Sequence, residues 1–464
     1  MRTSSAEVLI ELDRSRPRGL RAQIEDELRN KIRSGRLTGG TLVPSTRALA
    51  SDLGVTRGVV VAAYDQLLAE GYLASRAGSG TIVNATEARR RVPRRQRPGG
   101  APLVVDFQPG RPDLNLFPRT AWLRATRAAL RVMPGEDLGY IDPRGLVQLR
   151  EAIAEYLGRV RGVAADGDHV VICNGFAHGL SLAVGALRDA GRHVIAVENP
   201  GYADACHELD RLGVRRRSID VDEEGIVVDQ LRRSRCQAVV VTPAHQSPTG
   251  VVLSAARRSA LAAWARDVDG YIIEDDYDAE FRYDRHPVGA LQGVAPDRVI
   301  YSGTTSKSLA PGLRLGWLVV PPHLLEPVVG GRRVIDHATS SFLQGTYAEF
   351  LTNGDLDRHL RRTRRVYRQR RDALIASLER WLPRAVPSGV AAGLHLVVTL
   401  PRDVDEAAVA DHALAAGVLV YPLGNYCTSG RRDRPPALVL GYGPVTPAQA
   451  DHGVRVLADA IGSA

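Results

Sequence analysis

From residue 106 onward the chain is punctuated by six short apolar runs rich in β-branched residues. They are HVVIC (169–173), HVIAV (193–197), AVVVT (238–242), YIIED (271–275), RVIYS (298–302) and LGWLVV (315–320). Helical stretches separate most of them. Strands that are apolar throughout need cover on both faces, and intervening helices supply it, so the pattern predicts an α/β unit with a largely parallel, buried sheet. At 464 residues the chain is long enough for two or three domains. Hydrophobic residues at 44% and charged residues at 24% are ordinary for a globular protein. No apolar run approaches the roughly 20 residues of a membrane span. The first residues show no apolar stretch followed by a small-residue cleavage site. Cys173, Cys206, Cys236 and Cys427 form no CxxC pair, so they read as reduced structural thiols and metal is not expected. Together these features predict a cytoplasmic protein.

The charge sits at one end. Residues 1–105 carry 18 basic and 10 acidic side chains, a net of +8, against +9 for the whole chain. A basic segment on a nearly neutral body is the expected footprint of a polyanion-binding module. Within it, Leu20, Ile24, Leu28 and Ile32 recur at i, i+4 and predict a helix over 20–34 that stops at Gly35. Ser45 is placed to cap a second helix running to about Leu53, and Gly54 breaks it. Thr56 is placed to cap a third, with Val59, Val60, Tyr64, Leu67 and Leu68 as its apolar residues and Gly71 closing it. Residues 72–75 and 81–83 read as a hairpin around Arg76-Ala77-Gly78-Ser79-Gly80. Three helices and a hairpin make a winged helix-turn-helix. Residues 84–102, with arginines from Arg89 to Arg97 interleaved with proline, read as an exposed linker that adds phosphate affinity. The expected organisation is residues 1–83 as the DNA-binding domain, 84–105 as the linker and 106–464 as the effector domain.

Only two of the 61 Lys and Arg residues are lysine, Lys31 and Lys307. Lysine condenses with an aldehyde to form a Schiff base, whereas an arginine guanidinium is never usefully deprotonated. A lysine retained in SGTTSKSLAPGLRLGW (302–317) therefore points to imine chemistry. Its neighbours fit. Thr304 and Arg314 suit a phosphate. YIIEDDYDAEF (271–281) brings Asp275 and Tyr277 to the mouth of a buried strand, where open α/β sheets bind ligands. A pyridoxal phosphate ring needs a carboxylate at its nitrogen and often a phenol at its 3-oxygen. In CNGFAHG the amides of Gly175, Phe176 and Ala177 open a helix and offer its positive end to an anion. ENPGY puts Tyr202 where it would stack on a ring.

Residues 106–464 resemble the fold-type I aminotransferases, with a large domain and a small C-terminal α+β domain. Residues 17–83 resemble the winged helix of GntR-type regulators, and the fusion resembles the MocR subfamily of bacterial transcription regulators. The stretches that carry the likeness include LTGGTLVPSTRALASDLGVTRGVVVAAYDQLLAEGYLASRAGSGTIV, DFQPGRPDLNLFP, YIDPRGLVQLREAIAEYL, ENPGY, HQSPTG, EDDYDAEFRY and SGTTSKSLAPGLRLGW. The resemblance implies that Lys307 forms the Schiff base with pyridoxal 5′-phosphate, Asp275 pairs with the ring nitrogen, Tyr277 meets the 3-oxygen and Tyr202 stacks. It implies that Gly175, Phe176, Ala177, Thr304, Ser306 and Arg314 hold the phosphate, and that Tyr140 crosses to the neighbouring subunit of a head-to-tail homodimer. At the DNA end it implies contacts from Ser45, Thr46 and Arg47, from Thr56, Arg57 and Gly58, and from Arg76, Gly78, Ser79 and Gly80 of the wing, with operator DNA as partner. Arg47 and Arg57 are the expected base readers, since arginine to guanine is the commonest specific pairing.

Two departures bear on the ligand. HQSPTG has Ser247 where aminotransferases carry the asparagine of NPTG, and Val439 occupies the place of their carboxylate-binding arginine. Asp204 stands where γ-aminobutyrate-responsive relatives have an arginine. Either Arg431, Arg432 or Arg434 substitutes, or the effector is not a simple amino acid and pyridoxal phosphate is itself the signal. The expected function is a regulator that senses the coenzyme or an amine through Lys307; the alternative is a catalytically active aminotransferase.

Overall fold

In this computed structural model the described residues are 10–15, 17–76, 80–84, 103–283, 288–428 and 434–463. Gly78, Ser79, the arginines from Arg89 to Arg97, Arg431 and Arg432 lie outside them. The chain divides into two compact units, residues 1–99 and 100–464.

The smaller unit holds helices Leu20–Arg33, Thr46–Leu53 and Arg57–Ala69, followed by strands Leu73–Arg76 and Gly80–Val83. The i, i+4 stripe of Ile24, Leu28 and Ile32 is buried against Val60, Ala63, Tyr64 and Leu67 of the third helix. Ser45 Oγ accepts from the Ala48 amide at 3.1 Å, as its position predicts. Gly54 ends that helix in the left-handed region at φ 60°, which glycine adopts without a Cβ penalty. Thr56 occupies the equivalent position before the third helix, but its side chain makes no capping hydrogen bond. The hairpin is antiparallel, with Arg76 opposite Gly80 as its last pair.

The larger unit is built on an eight-stranded sheet. Its strand order is Val170–Cys173, Gly316–Val319, Val299–Thr304, Tyr271–Asp276, Ala238–Val241, Val194–Asn199, Arg215–Asp222 and Gly225–Ile226. All six apolar runs are strands of this sheet. The five from Val299–Thr304 to Arg215–Asp222 run parallel to their neighbours. Gly316–Val319 is antiparallel to both strands beside it, and the edge strand Gly225–Ile226 is antiparallel to Arg215–Asp222, the two exceptions to a parallel reading. Apolar clusters bury both faces, one around Leu180, Leu187 and Val328 and one around Leu261, Trp264 and Ala265. A second, antiparallel sheet of Val386–Ser388, His395–Thr399, Ala437–Gly441 and Tyr421–Pro422 forms the smaller C-terminal part. Arg215–Asp222 escapes the apolar-run reading because its first half, RRRS, faces solvent. No helix among the described residues is long and apolar enough to cross a membrane.

Candidate functional site

The parallel strands end together and deliver side chains to one edge. Ser302 is in register with Asp275, and Gly303 with Asp276. The chain leaves Val299–Thr304 straight into a single helical turn, Thr305–Ser308, which carries Lys307. Thr304 fixes that turn by accepting from the Ser306 amide at 3.2 Å and donating to Ser306 Oγ at 2.9 Å. A cavity of about 510 Å³ opens here. Its walls include Lys307, Asp275, Tyr277, Tyr202 and, at one end, Phe176, Ala177, Thr304, Ser306 and Arg314.

That end is electropositive by construction. Gly175, at φ 83° and ψ −179°, turns the chain from strand Val170–Cys173 into helix Phe176–Asp189. This backbone region is essentially reserved for glycine. Arg314 lies beside the turn. It is itself left-handed (φ 49°), donates to the Asn174 carbonyl at 2.7 Å, and would lie 3.4 Å from a Cβ at position 175. Helix amides, a guanidinium and two hydroxyls thus converge where an anion gains from each.

The opposite charges lie deeper. Of the three consecutive acids in YIIEDD, Glu274 accepts from the Leu291 and Gln292 amides, and Asp276 pairs with Arg161 at 2.7 Å and with Tyr301 at 2.6 Å. Asp275 is the one that lines the cavity, and its Oδ1 is buried without a partner among the described residues. Burial, with Asp276 alongside, pushes its carboxyl well above the usual range. Burial lowers the Lys307 amine, against the pull of Asp278 and Asp275. The result is a lysine moved toward its neutral, nucleophilic form. Gly110 presses on it: a Cβ there would lie 3.2 Å from Nζ. The loop Gln108–Pro109–Gly110 belongs to DFQPGRPD, but its closure over Lys307 has no signature in spacing or periodicity.

Other wall residues were not singled out by the sequence: His395, Tyr421, Asn425 and Tyr426. Asp204 accepts from Tyr202 Oη at 2.9 Å. Val439 is fully buried and packs with Val397, Leu423 and Ala437. Arg434 is committed to Glu406, with one bond at 2.8 Å, so it is not free to replace a carboxylate clamp. Tyr140 does not join this cavity; it is 93% exposed, its ring 5.4 Å from that of His337.

In the smaller unit Ser45, Arg47, Thr56, Arg57, Gly58, Arg76 and Gly80 are exposed and Thr46 is half-buried. Arg18, Arg21 and Arg29 are tied to Asp26, Glu25 and Glu70. Arg47 and Arg57 have no ion-pair partner among the described residues, which leaves two cations available at the starts of the second and third helices.

Comparison with known proteins joins the two units. Residues 104–453 match the family of class I and II aminotransferases, and residues 20–83 match the gntR family of bacterial regulatory proteins. The chain is 34% identical to a probable rhizopine catabolism regulatory protein MocR of Rhizobium meliloti, over 98% of this chain and 96% of that one. The chain belongs to the MocR-type transcription regulators. Another relative of the same layout is the pyridoxine biosynthesis regulator PdxR of Corynebacterium glutamicum, 33% identical over 94% of this chain and 95% of its own. Among solved structures, a multiple substrate aminotransferase from Thermococcus profundus superimposes with a TM-score of 0.70 at 28% identity, covering 78% of this chain and 91% of its own. This MocR-type regulator therefore joins a DNA-binding helix-turn-helix to an aminotransferase-like domain whose fold family depends on pyridoxal phosphate, and it regulates transcription rather than serving as an enzyme.

Proposed function

We propose that the aminotransferase-like domain binds pyridoxal 5′-phosphate at Lys307 and reports its presence, or that of an amine that reacts with it, to the DNA-binding domain. The observation that carries this reading is a charge arrangement in one cavity. A buried amine and a buried carboxyl, whose Oδ1 has no partner among the described residues, face the same space, and an anion cradle closes one end of it. The residues fit the coenzyme. Asp275 supplies the acceptor for a protonated ring nitrogen, and Tyr277 the phenol for the 3-oxygen. Tyr202 supplies a ring face, and Gly175, Phe176, Ala177, Thr304, Ser306 and Arg314 the phosphate site. When bound, the coenzyme supplies an aldehyde carbon that condenses reversibly with amines.

This chain's residues then do the sensing. With the coenzyme bound, Lys307 would be the amine that a ligand amine has to displace, and burial shifts it toward the reactive, neutral form. Among the described residues the buried Val439, the acidic Asp204 and the Glu406-bound Arg434 give a ligand carboxylate no cation, which favours the coenzyme itself or an amine without that group as the signal. The ligand shifts the regulator only through unequal affinity for two arrangements of the protein. We assign residues 84–105 as the linker between the domains, and Arg47, Arg57 and Arg76 as the principal DNA contacts. The regulator acts as a head-to-tail homodimer in which the exposed Tyr140 completes the neighbouring subunit's phosphate site.

The test is an absorbance titration of the purified protein with pyridoxal phosphate. A new band near the visible edge is expected, absent in Lys307→Ala. Footprinting upstream of the protein's own gene, with and without the coenzyme, follows it. A wild-type protein that gains no band, with a spectrum equal to that of Lys307→Ala, overturns the reading.

A further inference from the structure

Behind Tyr277 lies a buried polar array that the coenzyme site does not need for its charges. His245 Nδ1 is 3.0 Å and 3.2 Å from the two oxygens of Asp278 and 3.1 Å from Tyr277 Oη. His245 and Asp278 are almost wholly buried. His395, which also lines the cavity, packs against His245 with its ring tilted at 47°, the centroids 5.0 Å apart and its Nε2 3.1 Å from the Pro248 carbonyl oxygen. Gly393, at φ 69°, seals the array, because a Cβ there would lie 2.5 Å from His245 Nδ1 and 2.6 Å from Asp278 Oδ2. His245 belongs to HQSPTG, the motif in which Ser247 replaces an asparagine, and Ser247 and Tyr277 both line the cavity.

The donors and acceptors in this array have a direction. A carboxylate only accepts, so Nδ1 of His245 carries the proton and donates it to Asp278. Nδ1 then has no lone pair for Tyr277, and the phenol's own proton is turned away from His245, toward the cavity that Tyr277 lines. The other groups around the array do not reverse this. His395 spends its Nε2 proton on a carbonyl, and burial and then His245 lower it to about 4, so it is neutral at pH 7. Lys307 and Asp275 act from the cavity side, and Glu198 acts on Tyr277 from further off.

We propose that His245 and Asp278 are a positioning pair that locks the Tyr277 hydroxyl as a donor into the cavity, where it meets the 3-oxygen of the coenzyme. The pair substitutes for the asparagine that HQSPTG lacks. This rests on the reading that pyridoxal phosphate binds at Lys307. Asparagine at 278 donates as well as accepts, so Nδ1 becomes a lone pair that competes for the Tyr277 proton. A hydrogen bond donated to the ring oxygen favours the form with one proton fewer. Its loss moves the pH midpoint of the coenzyme's visible absorbance upward, by about one pH unit for a bond of ordinary strength.

The experiment measures that midpoint in the full-length, coenzyme-loaded protein from neutral to alkaline pH. Tyr277→Phe sets the size of the effect. Asp278→Asn and His245→Gln are expected to reproduce most of that upward shift, and Tyr277→Phe/Asp278→Asn to move no further than Tyr277→Phe alone. If Asp278→Asn fails to fold, judged by thermal melting of the unloaded protein, His245→Gln carries the comparison. A shift in Tyr277→Phe with none in either partner variant overturns the proposal. So do fully additive shifts, or one equivalent of zinc in the wild type that is lost in Asp278→Asn, which would make His245, Asp278 and His395 a metal site. A wild type with no visible band indicts instead the coenzyme reading beneath it.

Discussion

Position 175 shows how much one residue without a side chain contributes. At φ 83° and ψ −179° any other residue is strained, and a Cβ would come within 3.4 Å of the Arg314 guanidinium. Gly175→Ala is expected to cost about 1–3 kcal/mol of stability and to weaken pyridoxal phosphate binding about tenfold or more, measured by fluorescence titration and thermal melting. Glu198 makes a prediction about pH. Burial lifts its carboxyl from 4.5 to about 7, although Thr242 and Gln246 donate to it. A raised carboxyl binds its proton more tightly in the folded state. Its contribution is therefore fully present below pH 4.5 and is lost as pH rises through about 7. The unloaded protein should lose up to about 3 kcal/mol from this group over that interval. Glu198→Gln should flatten that part of the stability profile measured by urea unfolding.

The two helix starts of the smaller unit separate folding from contact. Ser45 Oγ accepts from the Ala48 amide, so Ser45→Ala should destabilise that unit by about 1 kcal/mol in chemical unfolding. Thr56 makes no such bond, so Thr56→Ala should leave stability within about 0.5 kcal/mol of wild type. A loss of operator affinity in Thr56→Ala would then report a missing DNA contact, and Arg57→Ala should lose more, with relaxed sequence preference in a binding assay. The same elements show what was legible in the sequence. Apolar runs and glycine stops locate six of the eight strands of the large sheet and the three helices of the smaller unit because burial and left-handed backbone leave marks on residue type. Lys307, Asp275, Tyr277 and Tyr202 were legible because each needs a side chain of a particular chemistry. Strand Arg215–Asp222 was not, since its exposed arginines mask the alternation. Nor were Gly110 and His395, which reach the site through tertiary approach alone, from chain segments far from Lys307.

At the scale of the whole molecule the question is what covers Tyr140. It is 93% exposed beside His337, and Val334 at 87% and Ile335 at 60% stand just before that histidine. Side chains this apolar and this bare suit an interface between subunits. Light scattering should give twice the chain mass. Subunit mixing tests the sharing directly. Tyr140→Ala should bind pyridoxal phosphate about tenfold more weakly, for loss of one charge-assisted hydrogen bond to the phosphate, and Lys307→Ala should give no visible band. In a mixed dimer of the two variants, the site built on the Tyr140→Ala chain keeps its own Lys307 and borrows an intact tyrosine from the Lys307→Ala chain. After random reassortment of equal amounts, about a quarter of all sites should regain wild-type affinity. If Tyr140 instead served its own chain, every Lys307 in the mixture would sit beside an alanine at 140, and no tight-binding fraction would return.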